Sequence, residues 1–293
     1  MRYGWINTNL LDMRAEPDHH SERVNQVRFG EAVHVLKSHS KFVRIRQFDG
    51  YSGWVDKNFV SPIGSRNDAF DYYDGQNCIV VSTQARLYNL SGESVPPYVL
   101  YYGTTLTINV SLSRVAANLE SIDRQRGNKS LPYTGNKGQI RSVRLNMPGQ
   151  PDIFVKSRNL RPIDDSNKTI VTGSRLVAEG RKFLGVPYLW GGVSPLGFDC
   201  SGFVQAIYRS HAIKLPRDTK DQIAIGCEVE RESIKSGDLL FFNRHVALAV
   251  NRYRFIHASQ GAGGVRIESL FGEDPDYRAD LDREFVQARR VLL

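Results

Sequence analysis

The residues of this chain best suited to nucleophilic chemistry are one cysteine and two histidines in its C-terminal third. Cys200 follows the turn-like segment Gly-Phe-Asp and precedes the helix-like run Ser-Gly-Phe-Val-Gln-Ala-Ile-Tyr. A thiol at a helix N-terminus faces unpaired backbone N–H groups and the positive end of the helix dipole, and both stabilise the nucleophilic thiolate. His245 and His257 lie in apolar segments downstream. A cysteine, a distant histidine and a third polar group form the arrangement that a cysteine hydrolase needs.

Each of these residues alone also fits a structural role. A lone cysteine is more often a small buried apolar residue than a nucleophile. A lone histidine on a strand is more often a satisfied structural residue. The three together favour catalysis, because the fold must then bring them to one place.

A β-hairpin would bring the two histidines together. Residues 245–250 and 253–258 have the pattern of apolar strands, and Asn251-Arg252 is the natural turn between them. With a short loop there, His245 lies opposite or nearly opposite His257, and cross-strand neighbours on one face have Cβ atoms about 5 Å apart. One imidazole then serves as the base and the other orients it, while Cys200 supplies the third group.

The other cysteines carry no comparable signal. Three cysteines are an odd number, and none forms a Cys-x-x-Cys pair, so neither a disulfide framework nor a zinc site is predicted. We expect Cys78 and Cys227 to pack as small apolar residues. No metal and no cofactor are predicted.

Composition and charge limit the possible classes of protein. The 293 residues exceed the usual size of one domain, and 41% hydrophobic with 24% charged residues is ordinary for a globular chain. The net charge of +8 suits an anionic partner, either nucleic acid or an anionic cell-wall polymer. No nucleic-acid-binding motif accompanies it, and the basic residues are scattered, so we predict no nucleic-acid partner.

The hydropathy of the sequence limits the cellular compartments in which we expect the protein. No apolar run is long enough to span a membrane, and the first ten residues contain no apolar region of a secretion signal. We therefore expect a cytoplasmic protein if the chain is full length, or an envelope or secreted protein if a signal was removed.

The first 62 residues have the pattern of a small β-barrel. Short alternating segments are separated by turn signals such as Asp49-Gly50. The segments are 10–14, 32–36, 42–46 and 52–55. The sequence Leu-Asp-Met-Arg-Ala-Glu-Pro and the later Gly-Trp-Val resemble motifs of bacterial SH3 domains.

A linker and a second barrel are predicted next. Residues 63–75 are polar and acidic, which is typical of a linker. Residues 76–163 resemble a divergent second barrel, because segments 84–88, 100–106 and 154–160 echo the first. The polar stretch 123–139 is expected to be a loop. The last domain, 164–293, should open with a helix over 173–184, whose apolar positions follow a helical period.

Five motifs in this last domain resemble, in the same order, the signature of NlpC-type cysteine peptidases. They are Val-Pro-Tyr-Leu-Trp-Gly-Gly at 186–192, Gly-Phe-Asp-Cys-Ser-Gly-Phe at 197–203, Leu-Pro-Arg-Asp-Thr at 215–219, Gly-Asp-Leu-Leu-Phe-Phe at 237–242 and His-Val-Ala-Leu at 245–248. The resemblance implies a multidomain protein in which two small all-β SH3-like barrels precede an α+β papain-like cysteine peptidase domain. It implies hydrolysis of cell-wall stem peptides between γ-D-glutamate and a diamino acid, either meso-diaminopimelate or L-lysine.

The resemblance also implies roles for individual side chains. Cys200 would be the nucleophile, His245 the base and His257 its orienter. Tyr188 matches the family's active-site tyrosine, and the alternative is a buried aromatic residue beside Trp190.

The remaining site residues are assigned to substrate binding. Asp199 either caps the helix or faces the substrate's ammonium group. Ser201, Asp218 and Thr219 are expected to assist. Arg217 fits this role and a solvated turn equally well.

The three-part layout resembles enzymes in which the first barrel walls the substrate cleft. This implies stem peptides with a free N-terminal L-alanine as substrates, and we expect a monomer. Two alternatives stay open, which are a papain-like amidase or acyltransferase on another acyl substrate and a non-catalytic wall-binding protein.

Overall fold

A computed structural model describes residues 2–47, 49–65, 67–69, 71, 75, 78–89, 91–108, 142–145, 153–163 and 171–292. The chain divides into two compact units, Met1–Asn167 and Lys168–Leu293. Residues 1–62 and 76–163, for which the sequence predicts two barrels, both belong to the first unit. The expected loop at 123–139 lies outside the described residues.

The N-terminal part of the first unit is all β. Its strands are β1 (Tyr3–Ile6), β2 (Leu10–Arg14), β3 (Arg23–Arg28), β4 (Ala32–His39), β5 (Phe42–Gln47), β6 (Ser52–Asp56) and β7 (Val60–Ile63). They form an antiparallel sheet in the order β3-β2-β6-β5-β4-β1-β7. Alternation puts Leu11 and Met13 of β2, and Val43 and Ile45 of β5, into one core. This SH3-like domain contains all four strand segments that the sequence predicted.

The rest of the first unit adds two smaller sheets. Its strands are β8 (Cys78–Val80), β9 (Gln84–Tyr88), β10 (Ser94–Tyr101), β11 (Thr105–Leu106), β12 (Ser142–Arg144), β13 (Phe154–Lys156) and β14 (Leu160–Pro162). The strand orders are β10-β9-β13-β12 and β11-β8-β14. Val80, Leu87 and Val155 share a core with Trp5 and Phe29.

The second unit combines an antiparallel sheet with helices. Its strands are β15 (Val193–Ser194), β16 (Gly197–Phe198), β17 (Cys227–Val229), β18 (Leu239–Phe242), β19 (His245–Ala249), β20 (Arg254–Ser259), β21 (Gly264–Ser269) and β22 (Phe285–Arg290). Its helices are α1 (Gly173–Arg181), α2 (Cys200–Arg209), α3 (Thr219–Gln222) and α4 (Ala279–Arg283). The six-stranded sheet has the order β17-β22-β18-β19-β20-β21, and α2 packs on β19 and β20.

Local sequence explains where α2 begins and what it buries. Asp199 is the N-cap, and its side chain accepts a hydrogen bond from the Gly202 N–H at 2.6 Å. Phe203, Val204 and Ile207 are fully buried, and each such side chain stabilises the fold by about 1.5–3 kcal/mol. The helix therefore holds its first residue rigidly against the sheet.

Helix α1 is shorter than the sequence predicted. It ends at Arg181 instead of Leu184, because Gly185 adopts a left-handed backbone with a φ of 84°. The Gly185 N–H donates to Val265 in β21 and not to a helical carbonyl. This tertiary hydrogen bond redirects the chain before the predicted end of the helix.

The cysteines outside α2 differ from one another. Cys78 is buried, as expected, but the prediction that Cys227 is buried is wrong. Cys227 begins β17, which is an edge strand, so its side chain faces solvent. All three cysteines are free thiols. Among the described helices, none has both the length and the apolar character needed to cross a membrane.

Candidate active site

Strands β19 and β20 bring two imidazoles into contact. Leu248 pairs with Ile256 and Ala249 with Phe255, so His245 and His257 are diagonal neighbours on one face. The Nε2 atom of His245 lies 2.7 Å from Nδ1 of His257. The contact predicted from the hairpin is confirmed.

A carboxylate extends this pair on the next strand. Oε2 of Glu268 in β21 lies 2.7 Å from Nε2 of His257, whose side chain is 0% exposed. The same oxygen accepts a hydrogen bond from Nη1 of Arg278 at 2.6 Å. Arg278 also binds both carboxylate oxygens of Asp280, at 2.9 and 2.6 Å. A continuous chain of hydrogen bonds therefore runs from His245 through His257 to the carboxylate of Glu268 and the guanidinium of Arg278.

The thiol of Cys200 lies at the first residue of α2, close to the start of β19. Its sulfur is 3.8 Å from the hydroxyl of Thr219, and the backbone N–H groups of Val246 and Ser201 also interact with it. Because Val246 follows His245, these contacts bring the thiol and the histidine pair into one region. The structure thus gathers Cys200, His245, His257 and Thr219.

The electrostatics differ from the sequence expectation at the thiol. Burial raises the pKa of Cys200, and the charge of Asp199 raises it further. The N–H of Val246 in β19, the Thr219 hydroxyl and the N–H of Ser201 at the helix N-terminus lower it, but they do not prevail. The expectation of a stabilised thiolate is therefore wrong for the resting site, because desolvation and a neighbouring carboxylate outweigh the helix N-terminus.

The imidazoles are also neutral. Burial, followed by the neighbouring His257, lowers the pKa of His245 to about 3. Burial likewise lowers the pKa of His257, although Glu268 opposes this change. At neutral pH the site holds a neutral thiol beside a neutral base.

Asp199 is held by a cation of the same unit. Arg217 donates to both carboxylate oxygens, at 3.1 and 2.5 Å, and the N–H groups of Gly191 and Gly202 donate at 3.0 and 2.6 Å. Arg217 is 3% exposed and Asp199 is 6% exposed. The solvated-turn interpretation of Arg217 is therefore wrong, because its charge is needed to compensate a buried carboxylate.

The other predicted substrate-binding residues occupy different environments. The hydroxyl of Ser201 is buried between Asp199 and Arg217, at 3.3 and 2.9 Å. Asp218 precedes α3, and burial raises its pKa while Arg217 opposes the change.

Tyr188 lies close enough to Cys200 for the charge of that residue to affect the pKa of the Tyr188 hydroxyl. It is partly exposed, so the alternative of a buried aromatic residue is wrong. Burial raises the pKa of its hydroxyl, and Cys200 and Asp199 raise it further. The hydroxyl therefore keeps its proton and can donate a hydrogen bond.

Three polar residues of the site escaped the sequence analysis. Glu268 and Arg278 lie behind His257, and the fully buried Gln222 donates to the backbone carbonyls of Ser201 and Pro216 at 3.1 and 2.8 Å. Extending the predicted hairpin by one strand would have found Glu268, since the strand-like Gly-Val-Arg-Ile-Glu-Ser follows after the short Gly-rich segment 259–263. Among the described residues, no cluster of three or more His, Cys, Asp or Glu could hold a metal ion.

Comparison with known proteins identifies two regions. The model of the NlpC/P60 family matches residues 185–283, and that of the bacterial SH3 domain matches residues 8–61. The first region contains Cys200 and both histidines, and the second contains most of the N-terminal sheet.

Similar proteins extend over more of the chain. A γ-D-glutamyl-L-lysine dipeptidyl-peptidase of Bacillus cereus is 28% identical over 98% of this chain and 81% of its own length. Dipeptidyl-peptidase 6 of Lysinibacillus sphaericus is 27% identical over 93% of each chain. A probable endopeptidase NlpC homolog of Haemophilus influenzae is 33% identical over 50% of this chain and 76% of its own.

The fold has a solved counterpart. The crystal structure of an NlpC/P60 family protein from Bacillus cereus superposes with a TM-score of 0.77 at 22% identity, covering 99% of this chain and 100% of the other. The matched family model and the Haemophilus relative show that the chain belongs to the NlpC/P60 family. It carries a bacterial SH3 domain ahead of its NlpC/P60 domain.

Proposed function

We propose that this chain is a cysteine peptidase that hydrolyses the bond between γ-D-glutamate and a diamino acid in cell-wall stem peptides. The observation that carries the proposal is the thiol of Cys200 at the start of α2, beside β19 and the hydrogen-bonded pair of His245 and His257. Two relatives named γ-D-glutamyl-L-lysine dipeptidyl-peptidase support the substrate class.

The chemistry follows from the neutral state of the site. The sulfur of Cys200 attacks the γ-carbonyl carbon while His245 takes the thiol proton, because neither group is charged beforehand. The backbone N–H of Cys200 stabilises the oxyanion. The C–N bond then breaks, His245 gives its proton to the leaving amine, and a thioester remains. Water, deprotonated by His245, attacks the thioester, the C–S bond breaks and the carboxylic acid leaves, and His245 returns the proton to the sulfur.

A free N-terminal L-alanine is part of the proposal. Relatives named dipeptidyl-peptidases support it, since such an enzyme releases two residues from a free amino end. We propose Asp199 as the partner of the ammonium group, with Tyr188, Ser201, Asp218 and Thr219 around the substrate. Arg217 already compensates Asp199, so the ammonium would share the carboxylate and gain less than from an unpaired one.

The finer architecture is proposed as well. Residues 1–62 and 76–163 would be two SH3-like barrels, joined by a linker at 63–75. Their closing segments support this, because β6 and β7 enclose the 3-10 turn Lys57–Phe59 just as β13 and β14 enclose Ser157–Asn159. Residues 164–293 would be papain-like, and a cysteine-bearing helix packed on an antiparallel sheet with the histidines supports this layout.

The test is a substrate panel. The protein is incubated with L-Ala-γ-D-Glu joined to meso-diaminopimelate or to L-lysine, and release of L-Ala-γ-D-Glu is followed by mass spectrometry. N-acetylated and muramyl-linked peptides test the need for a free amine. Cleavage of the free peptides supports the proposal. Binding of wall material without cleavage of any peptide would favour the non-catalytic alternative, and transfer of acyl groups between other substrates would favour an acyltransferase.

A further inference from the structure

Glu268 accepts the second hydrogen bond of the chain that begins at His245 and passes through His257. We propose that Glu268 is a positioning residue, which fixes the tautomers of both histidines and so leaves the Nδ1 lone pair of His245 free to take the Cys200 proton. The inference rests on the proposed peptidase function, and it assigns a further residue to that site. It is carried by three contacts, which are His245–His257 at 2.7 Å, His257–Glu268 at 2.7 Å and Arg278–Glu268 at 2.6 Å.

The direction of each hydrogen bond follows from the carboxylate. An ionised carboxylate only accepts, so the proton of the His257–Glu268 bond must be on Nε2 of His257. A neutral His257 then has a bare Nδ1, which must accept from Nε2–H of His245. His245 is neutral in turn, so its own Nδ1 carries the lone pair. One acceptor thus determines where the protons sit on two rings.

The surroundings keep Glu268 an acceptor. Although burial raises the pKa of Glu268, the hydrogen bond from the His257 N–H, together with the charge and hydrogen bond of Arg278, holds it below the ordinary value. Arg278 is itself fixed by Asp280 of α4. Besides the Cys200 thiol, the titratable and charged groups that face the histidine pair are Glu268, Arg278 and Asp280. Of these three, Glu268 alone contacts an imidazole nitrogen in the described residues.

Replacement of Glu268 by methionine would remove the acceptor at nearly the same side-chain length. Because one oxygen of Glu268 accepts from both His257 and Arg278, the single amide oxygen of Glu268→Gln can take its place and keep the proton on Nε2 of His257. Methionine has no such oxygen, so nothing holds the proton on Nε2 of His257. When that proton moves to Nδ1 of His257 it donates to His245, the second proton sits on Nδ1 of His245, and no lone pair is left for the thiol.

Kinetics of three variants test the proposal. Glu268→Met should lower kcat by about 10- to 100-fold, because a histidine that loses its hydrogen-bond partner loses its fixed tautomer. Glu268→Gln should restore most of this loss, because its amide oxygen still accepts from His257. The exposed Glu273 provides a matched control, and Glu273→Met should match the wild type. Equal kcat values of Glu268→Gln and Glu268→Met would overturn the inference, because they would show that an acceptor for His257 has no effect on the rate.

Nitrogen-15 NMR of labelled histidines gives a readout that needs no substrate. In the wild type, both rings should carry the proton on Nε2 and show a bare Nδ1. In Glu268→Met protonated Nδ1 should appear on both rings, whereas Glu268→Gln should keep the wild-type pattern. A protonated Nδ1 on His245 in the wild type would overturn the inference whether or not any variant folds. Absence of peptide cleavage by the wild type would instead count against the proposed function, and the NMR result would still decide the role of Glu268.

Discussion

Arg217 holds both carboxylate oxygens of Asp199, at 2.5 and 3.1 Å, immediately beside the first residue of α2. Both side chains are almost fully buried. The pair fixes the N-cap of the helix that carries Cys200, and it couples the segment after Leu215-Pro216 to that helix.

Removing the cation from this pair should destabilise the protein strongly. Arg217→Met leaves the Asp199 charge buried and uncompensated, and breaking a buried pair in this way costs about 3–5 kcal/mol. Urea unfolding of the variant measures the loss. Arg181→Met, at an exposed position, is the control and should change the free energy of unfolding by less than about 0.5 kcal/mol. Equal stability of the two variants would contradict a structural role for the pair.

Crowding at the start of α2 gives a second prediction. A Cβ atom on Gly202 would lie 2.3 Å from the backbone oxygen of Gly192. Gly202→Ala should therefore cost about 1–3 kcal/mol, as overpacking does, and lower the rate of hydrolysis by displacing Cys200. Gly261→Ala meets nothing closer than 3.9 Å and serves as the control. Thermal unfolding of both compares them, and a Gly202→Ala protein as stable as the control would refute the close approach.

The pH dependence of hydrolysis should differ from that of an ordinary histidine. His245 acts as a base only when neutral, and its pKa lies near 3, so it stays neutral well below its usual 6.5. The acidic limb of kcat/KM should therefore lie below pH 6, measured between pH 4 and 9 on a peptide whose own ionisation is known. A half-loss of kcat/KM near pH 6.5 would show that the imidazole is not desolvated in the free enzyme.

The two histidines should not contribute equally. His245→Ala removes the base and should be nearly as damaging as loss of the thiol. His257→Ala removes an orienter while base and nucleophile remain, so its kcat should be higher than that of His245→Ala. Steady-state kinetics on one peptide compares the variants, and a reversed order would mean that the roles of the rings are exchanged.

Local signals in the sequence were enough for part of the site. The N-cap Asp199 and the apolar run after it predict both ends of α2 to within one residue. The turn at Asn251-Arg252 predicts the His245–His257 contact. Both depend on neighbours close in the chain, where periodicity and turn chemistry are informative.

The remainder depends on tertiary structure. Arg217 and Asp199 are 18 residues apart in the chain, and no local sequence pattern indicates that they pair. Likewise, Cys227 is exposed because β17 is an edge strand, which only the sheet order reveals. The net effect on the Cys200 thiol is a balance of desolvation against a helix N-terminus, and its sign requires the burial that folding creates.

The central claim is that the thiol of Cys200 performs the hydrolysis. Its most direct test compares release of L-Ala-γ-D-Glu by the wild type, Cys200→Ala and Cys227→Ala, with folding of each verified by circular dichroism. Cys227 is a matched control, since it is a free and exposed cysteine in the same unit. We predict that Cys200→Ala falls to the uncatalysed background while Cys227→Ala keeps the full rate. Substantial turnover by a folded Cys200→Ala protein would contradict the account.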